Sequence, residues 1–114
     1  MKKMILYSTL VFLLACSGAK LITVSQTDVD RGLSRFPGLT INDLNTGKSL
    51  YENNCGSCHK LKSPSSRSEK KWTRILENMV IKVNKKAGKQ VLGESEKDIL
   101  FKYLITMGPL KKSK

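Results

Sequence analysis

The chain has 114 residues, 39% hydrophobic and 26% charged, and its 21 Lys and Arg against 9 Asp and Glu give a net charge of +12. This length holds one small domain and excludes a multidomain enzyme. The charge narrows the macromolecular partners to nucleic acid, anionic lipid or acidic protein.

Met1-Lys2-Lys3 is a short basic start, and Met4 to Ala15 is a predominantly apolar run. A helix needs about 20 residues to cross a bilayer, so this shorter run reads as a signal peptide over residues 1–15. It ends in Leu13-Leu14-Ala15-Cys16, which resembles the lipobox of bacterial lipoproteins. That resemblance implies diacylation of the Cys16 thiol and cleavage before it. The competing reading is ordinary signal cleavage after Ser17-Gly18-Ala19. Either way the expectation is an exported protein facing the periplasm or cell surface. With Cys16 acylated it is anchored to the membrane by lipid, with no transmembrane helix in the mature chain. Export removes nucleic acid from the partners and leaves lipid headgroups and acidic redox proteins. Removal of residues 1–15 leaves 99 of 114 residues, and loss of Lys2 and Lys3 leaves 19 basic against 9 acidic, a net +10.

Residues 16–30 are polar and aperiodic after the first few positions, and are expected to be a lipidated tether; residues 31–114 are expected to be the domain. Arg35-Phe36-Pro37-Gly38 marks a turn. Ile41, Leu44 and Tyr51 then share one face of a predicted helix from about Asn42 to Asn53. Gly47 lies near that face, where it either permits close approach of another backbone or breaks the helix.

Cys55-Gly56-Ser57-Cys58-His59 follows. C-x-x-C-H is the attachment signature of a c-type haem: two thiols three residues apart form thioethers to one porphyrin edge, and the next imidazole reaches the iron. A dithiol redox pair or half of a zinc site use the same cysteines. Against these, His59 is the only histidine, Cys16 is the only other cysteine, and no βαβ pattern surrounds the motif. One covalent haem c is therefore the expected cofactor.

Ser66-Arg67-Ser68-Glu69 has the spacing of a capping box and predicts the start of a second helix, whose stripe is Trp72, Ile75, Leu76, Met79 and Val80. A third helix is predicted to open at Ser95, with Asp98 as reciprocal cap. It runs through Ile99, Leu100, Tyr103 and Leu104 to Gly108-Pro109. No strand is required, so the fold class is all-α, three main helices packed around one haem.

From Thr40 to Met107 the chain resembles a class I c-type cytochrome, and more narrowly a small bacterial monohaem lipoprotein type. The likeness rests on Gly47-x-x-x-Tyr51 before Cys55-x-x-Cys58-His59, on Trp72 with Met79 seven residues later, and on Tyr103-Leu104 near the C-terminus. It implies that the helix before the motif crosses the C-terminal helix at Gly47 and Tyr51, with Tyr103 facing them. It also implies a methionine opposite His59, which raises the reduction potential and suits electron transfer. The mature methionines are Met79 and Met107. Met79, expected near the end of its helix, is the preferred ligand; Met107, a lysine amine or an open site are the alternatives. Unlike most members, no methionine falls between Val80 and Glu94.

Other haem contacts are weaker expectations. Arg67 and Trp72 are candidate donors to haem propionates. Pro64 belongs to the loop that follows His59, where a carbonyl acceptor for the imidazole is expected. Lys82, Lys85, Lys86 and Lys89 crowd the expected loop after Met79 and suit an acidic partner. The reading is a non-enzymatic one-electron carrier. Its rivals are a haem protein with an open or weakly held sixth site, acting as gas sensor or redox-enzyme subunit, and a haem-free dithiol protein.

Overall fold

A computed structural model describes residues 21–55 and 60–112. Cys16, Cys58 and His59 lie outside the described residues. Among the described residues five α-helices follow in order: α1 Gln26–Gly32, α2 Ile41–Leu50, α3 Glu69–Ala87, α4 Glu94–Met107 and α5 Pro109–Lys112. A π-helical turn, Tyr51–Cys55, continues α2, and a 3-10 turn, Pro64–Ser66, precedes α3. No strand occurs among the described residues.

The centre is α4, whose Leu100, Tyr103, Leu104, Ile105, Thr106 and Met107 are all buried. α1, α2 and α3 each pack on it. The closest crossing is with α2 at Gly47. A β-carbon there would fall 2.8 Å from the Ile99 carbonyl oxygen and would overlap the Tyr103 side chain. Gly47 therefore sits inside an unbroken helix because two backbones meet at it. The rings of Tyr51 and Tyr103 lie beside this crossing, 6.2 Å apart.

α1 changes the expected division between tether and domain. Ser25 is its N-cap: the Ser25 N–H and hydroxyl both donate to Asp28 Oδ2, at 2.9 and 3.0 Å. Val24 and Val29 are buried in the core, and Arg31 Nη2 donates to the Thr106 carbonyl of α4. The described residues 21–30 are thus part of the domain rather than linker. Two spaced valines carried the signal, too short a stretch to register as helical period.

The predicted turn forms at Phe36–Leu39. Pro37 supplies its preset φ, Gly38 takes φ 82°, and the Leu39 N–H donates to the Phe36 carbonyl at 3.1 Å, the pattern of a type II turn. It delivers Phe36 edge-on to Phe101 of α4, with ring centres 5.9 Å apart. Thr40 and Asp43 then cap α2 reciprocally.

Three boundaries differ from expectation. α2 begins at Ile41, where its cap places it. α3 is capped by Ser68, whose hydroxyl accepts the Lys71 N–H, so Glu69 is the first helical residue and Ser66 caps nothing in α3. α4 begins at Glu94, since Glu96 reaches back to the Gly93 N–H at 2.9 Å; Asp98 instead pairs with Lys102. For α3 and α4 a neighbouring Ser or acid had offered a rival cap.

The largest difference lies after Met79. α3 continues to Ala87 and ends at Gly88, in the left-handed region at φ 68°. Met79 is therefore in mid-helix, and Lys82, Lys85 and Lys86 belong to α3 rather than to a loop. Asn84 permits the extension. Its amide donates to the Leu92 carbonyl and accepts the Val91 and Leu92 N–H groups, at 2.9 to 3.0 Å. One side chain thus holds the short return to α4.

Candidate functional site

α2 and its π-turn carry Tyr51 and Cys55 inward, 4% and 3% exposed. π-helical turns are uncommon and concentrate at functional sites. α3 faces them with the predicted stripe: Trp72 and Leu76 are buried, while Ile75, Met79, Val80 and Val83 pack partly exposed against the core. Cys55, Met79, Trp72 and Ile75 line one apolar crevice with Tyr51. Tyr51, Trp72, Ile75 and Met79 also wall an adjoining cavity of about 210 Å³, bordered by Lys62 and Arg67.

The loop leaving the motif is held from both sides. Tyr51 donates its hydroxyl to the Lys62 carbonyl at 2.6 Å, and Trp72 donates its indole N–H to the Pro64 carbonyl at 2.7 Å. Burial, reinforced by the neighbouring Cys55, pushes the Tyr51 phenol up to about 12. Burial likewise raises Tyr103, with Glu52 and Tyr51 adding to it.

The predicted site residues divide clearly. Cys55, Met79 and Trp72 come together, and Arg67 reaches the rim of the same cavity. Met107 does not join them. It is 2% exposed and lines a separate cavity with Tyr103 and Pro64. Trp72 packs where expected, but its single N–H is already bonded to Pro64, so donation to a propionate is corrected to a packing and loop-holding role. The Pro64 carbonyl, in the loop where an acceptor for the imidazole is expected, receives the indole N–H. The Tyr51 bond to Lys62 went unread, although Tyr51 lies one turn before Cys55 and so shares its face.

These residues fit a haem. The wall is apolar as a porphyrin requires, and Arg67 lines the cavity; its Nε is buried without a hydrogen-bond partner. A guanidinium so placed suits a carboxylate. The groups that would hold the haem are Cys55, Cys58, His59 and Met79.

Comparison with protein-family models, with curated proteins and with solved structures returns no match to this chain. Among the described residues no helix is long and apolar enough to cross a membrane.

Proposed function

We propose that this chain is a monohaem protein of the class I c-type cytochrome kind. More particularly, it is a one-electron carrier tethered through Cys16 to a membrane outside the cytoplasm. The observation that carries this reading is that Cys55, last residue of the π-turn, and Met79, on the stripe of α3, line one apolar crevice while Met107 lies elsewhere. The crossing of α2 and α4 at Gly47 and Tyr103 supports it, being the packing that the resemblance implies.

Haem bound here supplies a one-electron change at iron. The protein's part is to hold and shield it. Cys55 and Cys58 would hold it through thioethers and His59 and Met79 would ligate its iron, while Trp72, Ile75 and Leu76 would exclude water. Arg67 and Lys62 would offset propionate charge at the rim. The lysines of α3 run alongside, with Ile81 exposed among them, a surface suited to an acidic redox protein. No acid-base or nucleophilic set is read in the chain, in keeping with a carrier rather than an enzyme.

A pyridine haemochrome assay on the exported protein tests the haem, and absence of covalent haem c ends this reading. Spectra of Met79→Ala and Met107→Ala test the ligand: loss of the methionine-to-iron band is expected only in the first. The mid-helix position of Met79 favours one second reading, a weakly held sixth site that serves ligand binding. Carbon monoxide separates the two, because rapid and complete binding to the reduced protein defines the open site.

A further inference from the structure

The anchoring residue and the folded domain are close in sequence, and that closeness selects a face. From Cys16 to Leu21 there are five residue steps, a reach of at most about 18 Å. Whatever surface holds an acyl group on Cys16 must lie within that distance of Leu21. Leu21 and the exposed Ile22 line a cavity of about 360 Å³ together with Lys111 and Lys112 of α5.

We infer that this face rests on anionic phospholipid headgroups, with Lys111 and Lys112 meeting the phosphates and Ile22 entering the interface. The inference builds on the proposed tether but needs no haem. Lysine beside an apolar side chain is the pairing that binds an acidic bilayer surface, the ammonium pairing with phosphate and the alkyl group leaving water. The α3 lysines lie on a different element: α5 packs on α1, α4 and the Pro64–Ser66 turn, whereas α3 packs on α4 and the π-turn and reaches the Pro64–Ser66 turn through Trp72, ten residues before Lys82. The two basic regions therefore have different tasks. α5 orients the domain on lipid, which leaves the α3 lysines and the Met79 cavity accessible to a soluble partner.

The test is amine modification of the exported protein as purified, reconstituted into phosphatidylglycerol or phosphatidylcholine vesicles and mapped by mass spectrometry. On phosphatidylglycerol, modification of Lys111 and Lys112 slows about fivefold or more, while Lys82 and Lys85 keep their rate in solution. The effect vanishes on phosphatidylcholine and in high salt, and Ile22→Asp weakens it. Uniform protection, protection of α3 alone, or none on either lipid overturns the inference. So does equal protection of Lys111 and Lys112 by an acidic protein without vesicles. The N-terminal peptide's mass reports acylation separately. Unmodified Cys16 with protected Lys111 and Lys112 rejects the tether and keeps the face; acylated Cys16 with unprotected lysines does the reverse.

Discussion

Tyr51 and Trp72 meet edge to face, ring centres 6.0 Å apart and planes at 89°, and each donates to a carbonyl of the loop between them. One ring comes from the π-turn before the C-x-x-C-H motif and the other from the helix after it. The pair closes a clamp around residues 60–66, and so limits where the segment leaving His59 can run.

Removing either donor while keeping an aromatic ring tests that clamp. Tyr51→Phe leaves the Lys62 carbonyl and Trp72→Phe the Pro64 carbonyl without its partner, each at a cost of about 1–3 kcal/mol, to which the smaller ring at position 72 adds a packing loss. In a denaturant double-mutant cycle the two losses couple by at least about 0.5 kcal/mol, since they share one loop and one ring contact. Strict additivity would show that the two bonds act separately.

Gly47→Ala sets helix propensity against packing. Alanine gains up to about 1 kcal/mol in a helix interior. The new methyl group must push Tyr103 and the Ile99 carbonyl aside, an overpacking cost of about 1–3 kcal/mol. Thermal unfolding is expected to show net destabilisation, and an unchanged or raised Tm would mean that the α2 and α4 backbones are further apart.

The two methionines should separate stability from ligation. Met107→Ala empties a buried core position and costs about 2–5 kcal/mol by denaturant unfolding, with the iron spectrum retained. Met79→Ala, at a half-buried position, perturbs the spectrum most. A spectral change confined to the Met107 variant reverses the assignment.

Asn84→Ala leaves the Val91 and Leu92 N–H groups and the Leu92 carbonyl unpaired beside the Leu92 side chain, which is 1% exposed. A loss of about 1–3 kcal/mol is expected. Asn84→Asp keeps the acceptor for both N–H groups and should cost less. Hydrogen exchange at Val91 and Leu92 reads the same bonds locally.

Stability should fall at both ends of the pH range. Burial alone raises the Asp28 carboxyl, but hydrogen bonds from Arg31 and from the Ser25 backbone and hydroxyl outweigh it and hold the group below 3.8. A depressed carboxyl contributes stability above its unfolded value and loses it as pH falls. Tyr51 is raised from 10.0 to about 12. Its contribution is complete below pH 10 and is lost as pH rises from 10 towards 12. Asp28→Asn should flatten the acid limb of the stability curve and Tyr51→Phe the alkaline one.

The stripe of α3 was legible because it is periodic: side chains four residues apart share a face whatever surrounds them. The crossing of α2 and α4 at Gly47 came from the resemblance alone, since the glycine by itself allowed either a close approach or a helix break. The Phe36–Leu39 turn was legible because proline and glycine restrict φ by their own covalent structure. Helix ends were less so, since Ser66 and Ser68 offer rival caps, and only the packed direction of the chain selects between them. α1 was missed because seven residues carry too little period, and its place depends on the fit of Val24 and Val29 beneath α4.

By itself the sequence determined the chemistry to be expected: one C-x-x-C-H motif, one histidine, two methionines after the N-terminal apolar run, that run read as an export signal, and a basic composition. Covalent connectivity and residue counting suffice for that. Only the tertiary structure decided that Met79 and Cys55 share a crevice, that Met107 is core, and that Trp72 spends its one donor on Pro64. These are relations between side chains from different helices, set by how α2 and α3 pack on α4, and no local pattern encodes them.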